Sequence, residues 1–442
     1  MHSMFRSPRA LWARFIKQIA QFSAGGSWTD LVPSQTRKNL RWFWFDGLFS
    51  SASESIIVTY QSLFILALGA TDAQIGLLSS MSSLVAVLML LPGALLTERL
   101  GKRKEIALVS GGIIGRAMIF LIILIPIFLS GPAAVYAAIT LTVSRDAMNN
   151  LGMPAWISLT ADLVPLSWRG RYFGSRNFIM GIAGMIVTLV IGELLTRSGQ
   201  LQSYQFAYTL ALGLGIISTI SFSRIKEPTP THAVEQSSPF SFRAIPSYFI
   251  ANPVFLAYCV TSAIWNFSLN ISGPFFTVYQ VKVLGATAIM VGILSITSQV
   301  SSLLAQRPFG NMADRWGPRK LVVITGYLIP FLPFVWIFIQ EAWQGIPVNL
   351  LGGALWAGYS LASFNYLLTL IPEDQRARYS ALYQIVVAIS LSAGAAIGSV
   401  IVTKWGYHAV FLLSGIGRML GAILFARFVH PSEVKSVANG TS

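Results

Sequence analysis

The chain is poor in charge: 11% of its 442 residues are Asp, Glu, Lys or Arg, and only 16 are acidic. A soluble domain carries about 25% charged residues, so a fully water-exposed surface is excluded for a chain of this size. Cys259 stands alone, which rules out an intrachain disulfide, and the four histidines (His2, His232, His408, His430) fall in the tails, the central loop or one helix end. No thiol or imidazole metal cluster can be built from them. A Gly-x-x-x-x-Gly-Lys-Ser/Thr loop, which would cradle nucleotide phosphates, is also missing. What the chain has is apolar sequence: 54% of its residues are hydrophobic. They come in blocks of about 20 or more, enough for a helix to cross a ~30 Å hydrocarbon core, whereas membrane β-barrels alternate over segments of about 10.

Twelve spans are predicted, at 42–66, 74–97, 105–129, 134–162, 172–196, 204–223, 251–280, 288–312, 320–340, 346–371, 379–403 and 408–429. An even number puts both termini on one side. The net charge of +15 would suit a nucleic-acid binder only if the basic residues gathered on a soluble face. They lie in loops instead. Of the 31 Lys and Arg, 25 fall in the tails, in alternate loops or at the helix ends beside them, against Arg197, Lys282 and Lys404 on the opposite face. Short positive loops stay in the cytosol, so both tails are expected there and no nucleic-acid partner is expected. Residues 1–41 make no secretory signal, because no unbroken apolar core follows the arginines. Leu11, Trp12, Phe15, Ile16, Ile19 and Phe22 share one helical face beside Arg9, Arg14 and Lys17, a pattern suited to lying along the lipid surface.

The chain also repeats itself. Residues 68–104 laid on 284–320 without a gap give 14 identities in 37, including Leu68-Gly69-Ala70-Thr71 on Leu284-Gly285-Ala286-Thr287 and Arg99, Gly101, Arg103, Lys104 on Arg315, Gly317, Arg319, Lys320. A second block, Pro165-x-x-x-Arg169-x-Arg171-Tyr172, recurs from Pro372 to Tyr379. Two six-span halves of parallel topology follow, related by a pseudo-two-fold axis along the membrane normal. The predicted organisation is a cytosolic tail (1–41), a first six-helix bundle (42–223), a cytosolic linker (224–250), a second bundle (251–430) and a tail (431–442). The fold class is all-α, with twelve transmembrane helices in two pseudo-symmetric bundles.

The loop after span 8, Gly310-x-x-x-Asp314-Arg315-x-Gly317-x-Arg319-Lys320, resembles the signature of the major facilitator superfamily. The first-half copy departs twice, with Glu98 in place of Asp and Ala94 at the glycine position. The resemblance implies a cytosolic latch: Asp314 with Arg315 and Arg319, and Glu98 with Arg99 and Arg103, as charge clusters at the membrane surface. The plainer alternative is that these charges only orient the helices. The resemblance also implies that spans 1, 4, 7 and 10 line a central cavity.

Ionisable groups at membrane depth cost about 2.5–3.5 kcal/mol to insert and are functional candidates by default. On span 1, Asp46, Ser50, Glu54 and Gln61 fall within an arc of about 80° at ~100° per residue, one polar stripe on an apolar helix. Glu54 comes near the midplane. The positions 216 residues later are Ser262, Asn266 and Asn270, so the second half keeps the stripe without its charges. Span 4 carries Arg145, Asp146, Asn149 and Trp156, and Glu54 with Arg145 is a candidate pair for proton coupling or a permanent structural ion pair. Trp356 and Tyr359, with Trp265 and Tyr366, could stack on a substrate. Arg116 and Arg418 read as structural. Glycines on span 5 (Gly181, Gly184) and span 11 (Gly394, Gly398) suit close helix crossing.

These residues point to a secondary transporter of a small solute, in the plasma membrane as a monomer. It would work by alternating access, be coupled to protons or another ion and need no cofactor. The acidic stripe favours export of amphipathic or cationic compounds over the alternative, import of a metabolite such as a sugar, organic acid or peptide-like solute. No catalytic Ser/His, metal or twin-acid constellation is visible, so no enzyme activity is expected; a sensor or lipid-handling protein fits less well.

Overall fold

The computed structural model describes residues 31–228, 245–371 and 375–430, with backbone alone for Ile245, Pro246, Ser247, Arg376 and Ala377. The interfacial helix expected within residues 1–41, the middle of the linker and the tail after residue 430 lie outside these residues. Among the described residues there are twelve long helices and no strand. They are α1 Ser34–Ala67, α2 Asp72–Leu100, α3 Arg103–Phe128, α4 Gly131–Leu163, α5 Arg169–Ser198, α6 Leu201–Ser223, α7 Pro253–Lys282, α8 Ala288–Trp316, α9 Pro318–Ile337 and α10 Gly345–Leu370. The last stretch, Arg376–Phe428, breaks at Gly406 (φ 78°) into α11 (376–405) and α12 (407–428).

Most helices outrun the apolar spans that announced them. α1 starts eight residues early and takes in Arg37, Lys38 and Arg41, because helical hydrogen bonding continues where the hydrocarbon ends. The end of the expected linker is helical too, Ile245–Ala251. Among the described residues eight stretches are long and apolar enough to cross a bilayer, the last of them holding both α11 and α12; α1, α4 and α10 fall short. The sequence singles out charged side chains on α1 and α4, and aromatic ones on α10.

Local sequence sets the ends. Asn252 Oδ1 accepts from Phe255 N (2.9 Å) to start α7, with Pro253 in its first turn. Between α8 and α9 the chain turns at Gly317, whose φ of 81° lies in the region that favours glycine, and Pro318 opens the next helix. Inside α7 the helix is interrupted at Gly273–Pro274. Arg418 from α12 reaches this break and donates to Leu269 O (3.3 Å) and Ser272 Oγ (2.9 Å), supplying carbonyls and hydroxyls that no water can serve in a bilayer.

The chain divides into two compact units. The first holds the described residues up to Ala70 and from Leu88 through α6; the second holds Thr71–Val87 and α7 to α12. The first half of α2 therefore belongs with the second unit, although the repeat assigns it to the first half of the chain. In the first unit α1 is tied to α5 and α6 by hydroxyls donating to backbone carbonyls: Ser53 to Ala211 (2.7 Å), Ser51 to Met180 (2.9 Å) and Tyr60 to Thr188 (2.6 Å). In the second, Ser414 donates to Ser268 O (2.6 Å) and Asn270 to Leu391 O (2.8 Å). Asp72, at the start of α2, accepts from Lys282 (2.6 Å) and Tyr407 (2.8 Å) in the same unit.

α11 crosses α7 with almost no gap. A Cβ on Gly394 would sit 2.2 Å from Phe267 O, and one on Gly398 would sit 2.3 Å from Ile271 O. Gly184 has Ser55 Oγ at 2.5 Å, whereas Gly181 has open space, so it takes no part in a close crossing. Overpacking costs about 1–3 kcal/mol. Gly394→Ala and Gly398→Ala are therefore expected to lower the thermal unfolding temperature of purified protein in detergent, and Gly181→Ala to leave it unchanged.

Candidate functional site

The polar stripe of α1 faces α3, α4 and α6 inside the first unit. Arg145 Nη2 from α4 donates to both oxygens of the Glu54 carboxylate. Arg116 from α3 approaches Glu54 Oε1 at 3.5 Å and Ser53 Oγ at 3.4 Å. Arg145 Nη1 lies 3.6 Å from Asp146 Oδ1, so its guanidinium spans two acids. Farther along α1, toward its N-terminus, Asp46 accepts from Ser218 Oγ (2.7 Å), and Arg176 Nη2 is 3.7 Å away. Three carboxylates and three guanidiniums thus share one network, with no net charge when all are ionised. Burial of a lone ion in apolar surroundings is prohibitive, and this mutual pairing is what makes the group tolerable.

Two members are not legible in the sequence. Arg176 reads there as one of the cytosolic positive charges, yet its guanidinium is buried, lies 4.1 Å over the Phe43 ring and donates to Phe43 O (3.1 Å). Gly47 leaves the room, since a Cβ there would meet the guanidinium at 2.6 Å. Arg116 reads as structural, on a peripheral helix. A π-helical turn, Leu108–Ile114, precedes it on α3 and alters the rotational phase that a uniform helix would give. The Gly111-Gly112 pair within that turn is the visible signal.

A cavity of about 330 Å³ opens beside this network, lined by Asp46, Ser50, Glu54, Arg116, Asn149, Trp156 and the π-helical turn. Glu54 is 36% exposed there, whereas Arg145 is 4% exposed: the acid can meet a proton or ligand and its partner cannot. Arg145, Asp146 and Gln61 do not line this cavity. In the second unit Trp265 stacks on Tyr359 (4.7 Å between ring centres), and Trp356 meets Tyr359 edge-on (5.7 Å). The space beside Trp265 and Tyr359 is about 10 Å³, room for one water at most. Asn266 donates to Ser262 O of its own helix.

The signature residues separate into two kinds. Arg103 is buried and binds Asp162 at the end of α4, Glu227 Oε1 (2.9 Å) and Pro228 O (3.2 Å) just past α6. Arg319, its counterpart by the repeat, donates to Val429 O (2.7 Å) and Ala426 O (2.8 Å) at the end of α12. Each arginine fastens the last helix of its own half. Glu98, Arg99, Asp314 and Arg315 are exposed and form no ion pair among the described residues.

Removing one partner of a buried pair strands the other and costs about 3–5 kcal/mol. Arg145→Gln is expected to lower stability by that amount, and adding Glu54→Gln to restore part of it. Denaturation of the single and double variants measures the coupling, and additive losses would show that the pair contributes nothing.

The sequence profile described as Major Facilitator Superfamily matches residues 43–298 and 266–442. The multi-drug resistance efflux pump PmrA of Streptococcus pneumoniae serotype 4 is 25% identical over 396 residues, covering 86% of this chain and 93% of its own length. The multidrug resistance protein MdtG of Dickeya zeae is 24% identical over 406 residues, covering 89% and 95%. Among solved structures, a point mutant of the nucleoside transporter NupG shares the fold at a TM-score of 0.70 and 14% identity, over 88% of this chain and 99% of that one. A bacterial homologue of the human lysosomal transporter Spinster, in an inward-facing and occupied conformation, does so at 0.63 and 13%, over 88% and 96%. With twelve helices in two bundles and a profile match running from α1 through α12, the chain belongs to the Major Facilitator Superfamily and is a multi-pass membrane transporter, not an enzyme.

Proposed function

We propose that the protein is a proton-driven exporter of amphipathic compounds, those with a cationic group included. The observation that carries this reading is Glu54: a carboxylate open to a cavity at membrane depth, whose principal counter-ion has a second acid within reach. When Glu54 takes a proton, Arg145 loses its charged partner and turns toward Asp146, which loosens the tie between α1 and α4. When Glu54 releases the proton, the pair re-forms. A cationic group that enters beside Glu54 favours the ionised acid, so substrate and proton exclude each other, as antiport requires. PmrA, named as an efflux pump, supports the outward direction, and MdtG, named as a multidrug resistance protein, supports the substrate class.

The same reading places the protein in the plasma membrane as a monomer with both tails in the cytosol, and keeps residues 42–223 and 251–430 as the two moving halves. Glu98 with Arg99, and Asp314 with Arg315, unpaired among the described residues, are the charges assigned to the cytosolic latch when that side closes. Arg103 and Arg319 hold the helix ends against which the latch works.

In inside-out vesicles, an inward-acid pH gradient is expected to drive accumulation of an amphipathic fluorescent dye, and a protonophore to abolish it. Glu54→Gln keeps a hydrogen-bond acceptor for Arg145 but cannot ionise. It is expected to lose gradient-driven accumulation while retaining downhill flux. Unchanged accumulation and pH dependence would remove Glu54 from the coupling step.

A further inference from the structure

Arg116 is the guanidinium in the network that has no carboxylate of its own. Its Nη1 contacts to Glu54 (3.5 Å) and Ser53 (3.4 Å) are long for charge-assisted bonds, which run about 2.7–2.9 Å. Its Nε is buried with no hydrogen-bond partner. The acids around it are committed elsewhere: Glu54 to Arg145, and Asp46 to Ser218 and Arg176. The side chain is nonetheless held in place, because a Cβ on Gly215 of α6 would sit 2.7 Å from Nε; only glycine leaves that slot. An arginine has five N–H donors; Nε is packed against Gly215, and the rest of the side chain, 12% exposed, lines the 330 Å³ cavity.

We infer that Arg116 and Glu54 together form a dipolar subsite, selecting soluble amphipathic substrates that carry both an ammonium and an anionic oxygen group on an apolar body. The inference rests on the proposed exporter reading and names its substrate class. Charge balance is the argument. The network of three acids and three arginines is neutral, so a ligand with a single charge of either sign leaves that charge uncompensated in low dielectric. A zwitterion adds none. Its ammonium meets the exposed face of the Glu54 carboxylate, and its anionic oxygens take the spare donors of Arg116. Trp156 and Phe222 on the same wall receive the apolar body. The acidic stripe alone favours cations; the position of Arg116 adds the anionic half.

A matched fluorescent series tests this on the full-length protein in nanodiscs: ε-dansyl-lysine with both charges, dansylcadaverine without the carboxylate, and 6-(dansylamino)hexanoate without the ammonium. The wild type is expected to bind ε-dansyl-lysine at least about tenfold more tightly than either single-charge analogue. Arg116→Gln is expected to weaken ε-dansyl-lysine about tenfold and to strengthen dansylcadaverine, because the network then carries one uncompensated negative charge. Equal binding of the three probes by the wild type, or an equal loss for all three in the variant, overturns the inference. The wild-type order decides the matter even if the variant does not fold. Phosphatidylethanolamine carries the same two charges, so displacement of ε-dansyl-lysine by that lipid in the disc overturns the assignment to a solute. No gradient is used in these measurements. Correct probe order without gradient-driven transport of ε-dansyl-lysine would sink the exporter reading and leave the subsite standing.

Discussion

A charge inside an apolar medium must find its opposite, and the first unit is organised around that requirement. Asp46, Glu54 and Asp146 face Arg116, Arg145 and Arg176, contributed by α1 and by the consecutive helices α3, α4 and α5. Pairing fixes how α1, α3, α4 and α5 are rotated about their own axes, because each must turn its charge inward. It also underlies the proposed proton coupling. A network with no net charge is stable in the bilayer, and one proton on its exposed member is enough to unbalance it.

The second unit meets the same medium differently. Its stripe on α7 is amide and hydroxyl rather than acid, and its helices approach through glycine and serine. Gly394 and Gly398 let α11 lie against the carbonyls of α7, and the Ser272–Ser414–Ser268 chain ties in α12. Arg418 supplies donors where α7 is interrupted. Apart from the Asp72–Lys282 pair, small residues and internal hydrogen bonds replace ion pairs as the adhesive, since lipid offers helices no hydrophobic reason to associate.

The two halves keep one device in common. Arg103 and Arg319 occupy equivalent places in the repeat; Arg103 binds Glu227 and Pro228 just past the sixth helix of its half, and Arg319 binds carbonyls at the end of the sixth helix of its own. The neighbouring charges of the signature stay exposed. In the proposed function, structural anchoring and switching are thus divided among adjacent residues of one short loop.

By itself the sequence determined the number of helices, their order and the duplication, because each depends on local hydropathy or on short-range spacing. It also showed Glu54 and Arg145 as costly residues at similar depth. It could not show that Arg116 and Arg176 belong with them, since a π-helical turn and a glycine slot decide where those side chains point. It set Trp265, Trp356 and Tyr359 out as one group without revealing that they pack on one another. Which charge meets which depends on the rotation and contact of helices distant in sequence, and only tertiary packing fixes those.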